Sequence, residues 1–161
     1  MAIDVKPNAL PFSVRIFLPT GNPEGLRIIE KSNWSGVGLA FPRSGLKAAN
    51  KDREELESSG AYVLIGPPTD KLPRAYIGES DELGKRLLNH DATKDFWNQV
   101  VAFTSKDQNL NKAHVRHVEA RLVRLAEEAG RCDLENSANP SEPLNSEHRR
   151  SGHRRRCQAT Y

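Results

Sequence analysis

Three sets of side chains in this sequence have the types and spacings that acid–base and ionic chemistry needs. Tyr62 and Tyr76 stand near the ends of two strand-like runs, Gly60 to Gly66 and Arg74 to Gly78. If the hairpin between them centres on Asp70, Tyr62 opposes Gly78 and Tyr76 opposes Leu64. Side chains alternate with period 2, so both phenols then share one face as diagonal neighbours within about 7–8 Å. Strand tyrosines also serve as plain packing residues, so the pair alone decides nothing. Arg86 and His90 are four apart and stack on one helix face, a spacing that a solvated polar stripe shares. Glu119 is the more unusual residue. At about 100° per residue, Val118, Leu122, Leu125, Ala126 and Ala129 fall within about 80° of Val115, and Glu119 falls at about 40°. A carboxylate on that apolar margin is costly unless it is paired or binds a metal. A neighbouring arginine would meet the same need. His114 and His117, three apart, offer a zinc-type set with Glu119, but no HExxH pattern accompanies them. Asn136 and Asn139 follow the helix, where asparagines commonly form turns. Asn136 is preferred, because Asn139 belongs to a turn-forming Asn-Pro pair.

Positioning these groups requires a particular run of elements. Segments 13–18, 26–30 and 37–41 read as short strands punctuated by Pro19, Gly21-Asn22-Pro23 and Pro42. Residues 45–57, rich in Ala, Lys and Glu, read as a helix, which Ser58-Ser59-Gly60 then breaks. This is a small β-rich module with a terminal helix, residues 1–57. Beyond it come the two tyrosine strands with a Pro-rich connection at 67–73. A helix follows to about His90, with Ser80 as its N-cap and Asp81 and Glu82 in its first turn. Phe96 to Thr104 is a third strand, rich in aromatic and β-branched residues. Asn111 can cap a long helix that ends before Gly130, placed where a C′ glycine belongs.

Composition bounds the rest. The chain has 161 residues, enough for one domain or two very small ones. Hydrophobic residues at 37% against 28% charged mark a globular body. No apolar run approaches the roughly 20 residues of a membrane span, and the first residues lack a signal-peptide core. The expectation is a cytoplasmic protein with no membrane partner. Two cysteines, Cys132 and Cys157, exclude a disulfide scaffold and a Cys-rich zinc module. Of 24 basic and 21 acidic residues, the stretch from Asn145 to Arg156 holds five and one, so the remainder carries net −1. The basic excess belongs to the tail. Residues 141–161 bring one large aliphatic, Leu144, among Pro, Ser, Asn and Arg, a composition expected to stay disordered. Arg149, Arg150, Arg154, Arg155 and Arg156 are the candidate nucleic-acid contacts there.

Taken in order, the elements resemble the GIY-YIG nuclease domain over about residues 60–140. Gly60-Ala61-Tyr62 stands for the first signature, with Ala61 where Ile is usual, and Tyr76-Ile77-Gly78 matches the second. Glu79-Ser80, Leu83, Arg86-Leu87 and His90 look like the Arg-bearing helix that follows. His117-Val118-Glu119-Ala120-Arg121-Leu122 looks like the helix with the metal-binding glutamate, and Leu134-Glu135-Asn136 like the segment with the late asparagine. The resemblance implies an α+β fold, a three-stranded antiparallel sheet flanked by helices. It implies an endonuclease that hydrolyses phosphodiester bonds, of DNA in preference to RNA, with one Mg²⁺ or Mn²⁺ on Glu119. Arg86 would contact the phosphate, Tyr62, Tyr76 or His90 would take the proton, and Asn136 would bind phosphate or orient the site. The alternative is a GIY-YIG-type nucleic-acid-binding module without cleavage.

Overall fold

Runs of β-branched and aromatic residues, cut by Gly and Pro, give this chain many short strands and few helices. A computed structural model describes residues 10–68, 71–107 and 110–138. In chain order these form β1 (Val14–Phe17), β2 (Arg27–Lys31), β3 (Gly36–Pro42), α1 (Leu46–Asp52), β4 (Gly60–Pro68) and β5 (Pro73–Ser80). There follow α2 (Leu83–Thr93), β6 (Gln99–Ser105), α3 (Lys112–Ala129) and β7 (Asp133–Leu134). The expected tail of 141–161 lies outside the described residues, with its five arginines, and so do Asn139 and the hairpin centre Asp70.

The seven strands make one mixed sheet in the order β1-β2-β3-β6-β4-β5-β7. Every pairing is antiparallel except β5 with β7. The protein is therefore α+β. The two tyrosine strands and β6 lie side by side, but they are not a separate three-stranded sheet. β3 continues it, pairing with β6 from Gly36↔Ser105 to Pro42↔Gln99. The segments on either side of residues 57–60 thus share one sheet.

They share one core as well. Leu39, Ala102 and Tyr62 form a row across three strands, and Phe41, Val100, Leu64 and Tyr76 form the next. All are buried together with Leu46 and Ala49 of α1, Leu56, and Leu83 and Leu87 of α2. Full burial of one such leucine contributes about 1.5–3 kcal/mol. Arg43 adds a polar tie: it donates to the Asp91 carboxylate at 2.7 Å and to the Asp91 carbonyl at 2.6 Å, binding the end of β3 to α2.

Local structure departs from expectation in three places. The single helix of 45–57 is two pieces, because Arg53 is extended (φ −126°, ψ 103°) and a 3-10 turn over Glu54–Glu57 follows. That break lets Leu56 reach full burial. Ser80 does not cap α2. It is held in the β4–β5 ladder opposite Gly60, and Glu82 takes the cap position without a side-chain bond. The Ser80 hydroxyl instead accepts from the Glu82 N–H at 3.1 Å and donates to the Glu82 carbonyl at 2.8 Å, closing the turn before the helix. Third, the apolar stripe of α3 is only partly covered. Val115 is buried, Leu122 and Ala126 are half-buried, and Val118 and Leu125 are 36% and 45% exposed. The helix lies chiefly against β4 and β5, so the covered arc is narrower and turned toward Glu119 and Val123, both half-buried. Its two ends form as expected: the Asn111 side chain accepts from the His114 N–H at 3.0 Å, and Gly130 is left-handed at φ 59°. Among the described residues, no helix is long and apolar enough to cross a membrane.

Candidate active site

The β4–β5 register places Tyr62 opposite Gly78 and Tyr76 opposite Leu64. Both phenols therefore lie on the face that α2 covers, with ring centroids 6.3 Å apart. Tyr62 leans across β5, and glycine is required there: a Cβ on Gly78 would strike the phenol oxygen of Tyr62. The glycine of Tyr76-Ile77-Gly78 thus makes room for the first tyrosine rather than for a turn.

α2 delivers the next two groups. Arg86 and His90, one turn apart, both reach Tyr62. The Tyr62 hydroxyl lies 2.7 Å from His90 Nε2, and Arg86 Nε donates to the same oxygen across 3.4 Å. His90 is 3% exposed and wedged between the phenols, 5.5 Å from the Tyr62 ring and 5.3 Å from the Tyr76 ring. A solvated polar stripe does not describe this pair. Burial, helped by the charges of Arg86 and Lys94, pushes the His90 pKa down to about 4, so the imidazole is neutral at pH 7.

Its tautomer is coupled to Tyr62. Nδ1 is buried and meets no hydrogen-bond partner among the described residues. With the proton on Nε2, His90 donates to the Tyr62 oxygen; with it on Nδ1, the buried Tyr62 hydroxyl donates to Nε2. The Tyr62 oxygen accepts from Arg86 in either case. Burial nonetheless dominates and holds the phenol above its ordinary pKa, against the opposing pull of Arg86.

Glu119 comes from α3. It is half-buried and forms no hydrogen bond or ion pair with a described residue. Burial raises its pKa, and the Glu79 carboxylate adds to this, while Arg116 and Arg86 oppose it. Glu79 itself pairs with Arg116 at 3.6 Å. A half-buried carboxylate without an ion pair among the described residues, with a second carboxylate in electrostatic range, could hold a small divalent cation that keeps most of its water. No group of three or more His, Cys, Asp or Glu side chains gathers among the described residues, so His114, His117 and Glu119 do not form a zinc-type set there.

Asn136 is committed to the backbone. Its side chain accepts from the Ile77 N–H at 2.9 Å and donates to the Ile77 carbonyl at 2.6 Å, standing in for a strand neighbour beside Tyr76 and Gly78. That contact orients β5. Two residues at the site were not among the sequence candidates. Glu79 directly follows Gly78, and Lys94 holds its ammonium 4.4 Å from the centroid of the Tyr76 ring. The spacing of 86, 90 and 94 was the available signal for Lys94, since each step is one helical turn.

Comparison with known proteins returns no matching family profile, curated protein or solved structure. The reading of this site rests on its own chemistry.

Proposed function

We propose that this chain is a divalent-metal-dependent endonuclease of the GIY-YIG type that hydrolyses phosphodiester bonds in nucleic acid, DNA in preference to RNA. The observation that carries the reading is the meeting of Tyr62, Tyr76, Arg86 and His90 in one cluster, with Glu119 in electrostatic range from a different helix. In-line attack on a phosphodiester needs a proton acceptor for water, charge to meet the growing oxyanion, and help for the leaving group. Glu119 would hold one Mg²⁺ or Mn²⁺, which when bound supplies Lewis-acid stabilisation at the phosphoryl and leaving oxygens. Arg86 is exposed while its guanidinium reaches Tyr62 and Tyr76, and its planar fork would meet the nonbridging oxygens. His90, buried and hydrogen-bonded to Tyr62, acts through that phenol, which leaves the phenols of Tyr62 and Tyr76 as the proton-handling groups. Asn136 keeps β5 in place beneath them.

One observation favours a second reading, a nucleic-acid-binding module of the same type that does not cleave. Tyr62 has no exposed surface and a raised pKa, and both oppose proton abstraction from water. Incubation with plasmid, single-stranded DNA and RNA, in Mg²⁺ or EDTA, separates the two. The nuclease reading expects cleavage that EDTA abolishes and that Glu119→Ala lowers by about 100-fold or more. The variant should melt at the same temperature or higher, because it loses a carboxylate whose ionised form is disfavoured. Full activity in the variant rejects Glu119 as the metal ligand. Tight binding without cleavage selects the second reading.

A further inference from the structure

Arg86 and His90 share one side of α2, and Lys94, four residues further on, is the extended residue that caps its end. The helix stops at Thr93, yet the Lys94 N–H still reaches the His90 carbonyl at 2.9 Å. Trp97 Nε1 donates to the same oxygen at 3.4 Å. This shared acceptor folds residues 94–97 back against the helix end and sends the Lys94 side chain over the Tyr76 ring. The carboxylates on either side of it are engaged elsewhere, Asp91 with Arg43 at 2.7 Å and Asp95 with Arg43 at 3.9 Å. Three described lysines find acidic partners, Lys85 with Glu82, Lys106 with Glu30 and Lys112 with Asp81, whereas Lys31, like Lys94, lies over an aromatic ring, that of Phe12. Lys94 has no ion pair with a described residue. An aromatic face attracts a cation without neutralising it, and this contact sets the half-buried Lys94 beside the cluster.

We infer that Lys94 contacts a second backbone phosphate of the polynucleotide whose reacting phosphate faces Arg86. The inference deepens the nuclease reading and rests on it. The two cations suit different tasks. A planar guanidinium matches the changing geometry of a reacting phosphoryl group, whereas an ammonium is a point charge that serves where only neutralisation is needed. Lys94 is thus a binding residue, and the polyanion reads it as one phosphate contact.

The test uses the full chain with a short DNA duplex, comparing wild type with K94M, K94Q and K94R. Affinity is measured in EDTA over a series of salt concentrations, and steady-state cleavage in Mg²⁺. Removing one phosphate contact should reduce the log–log salt slope by about 0.9 in K94M and K94Q and leave it unchanged in K94R. In Mg²⁺, KM should rise in the two neutral variants while kcat holds. A wild-type slope in either neutral variant overturns the inference, even if its melting temperature falls, because lost packing on Tyr76 would then be the whole effect. A fall in kcat with KM unchanged overturns it too. If the wild-type chain cleaves but the slopes are identical, the inference fails alone. If wild type binds no nucleic acid, the nuclease reading fails with it.

Discussion

His90 sets the electrostatic character of the site at the scale of single residues. It is buried between two phenols, its pKa is driven to about 4, and its only described side-chain partner is Tyr62. The unfolded chain holds this proton up to about pH 6.5, so between the two values the unfolded state binds more protons. Stability from the neutral imidazole is therefore complete above about pH 6.5 and is lost as pH falls through 4. Urea unfolding at pH 7.5 and 4.5 should show a loss on the order of 2 kcal/mol that His90→Gln largely removes. An equal pH dependence in the variant would assign the acid sensitivity to carboxylates instead. The same burial argues that His90 works through Tyr62 and not by reaching water.

At the scale of elements, the site depends on helix ends more than on helix faces. α3 carries Glu119 in its third turn, and only Val115 of its stripe is fully buried. Packing alone anchors it weakly. Its capping bond from Asn111 and its polar contacts to β5 and the turn after it, Lys112 with Asp81 at 3.0 Å and Arg116 with Glu79 at 3.6 Å, compensate for the thin apolar seam. Asn111→Ala should cost about 1 kcal/mol of stability. Amide hydrogen exchange should show faster opening in the first turns of α3 and little change in β3 or β6. Uniform loss of protection across the sheet would mean that α3 opens only with the whole fold.

At the scale of the molecule, the sheet makes the residues before 57 part of the structure that supports the site. β6 lies between β3 and β4, and Leu39 and Phe41 fill the same core as Tyr62 and Leu64. A fragment of residues 58–161 would expose one long edge of β6 and leave Ala102 and Val100 without their β3 neighbours. We expect that fragment to lack a cooperative melting transition, whereas the full chain shows one. A fragment that melts cooperatively near the full chain's temperature would show that the first three strands are dispensable. The exposed apolar edge also predicts that the fragment aggregates on concentration, which light scattering would detect.

How much of this was legible beforehand follows from the range of each interaction. Strand and helix types, the shared face of Tyr62 and Tyr76, the stacking of Arg86 on His90, and both ends of α3 all follow from periods of 2 and 3.6 residues and from local capping chemistry. Each depends on neighbours within a few positions, so sequence alone carries it. Joining β3 to β6 depends on backbone hydrogen bonds between residues about 60 apart, and no local pattern specifies which strand takes a given edge. The Ser80 cap failed for the same reason: pairing with Gly60 across the hairpin outweighed a local preference. Burial likewise is a property of the assembled fold. The assembled fold decided that His90 is neutral, that Glu119 has no ion pair among the described residues, and that Lys94 rests on Tyr76 while Asp91 and Asp95 turn to Arg43. Residue types and short spacings are written along the chain, but the charge state of a group depends on what surrounds it in three dimensions.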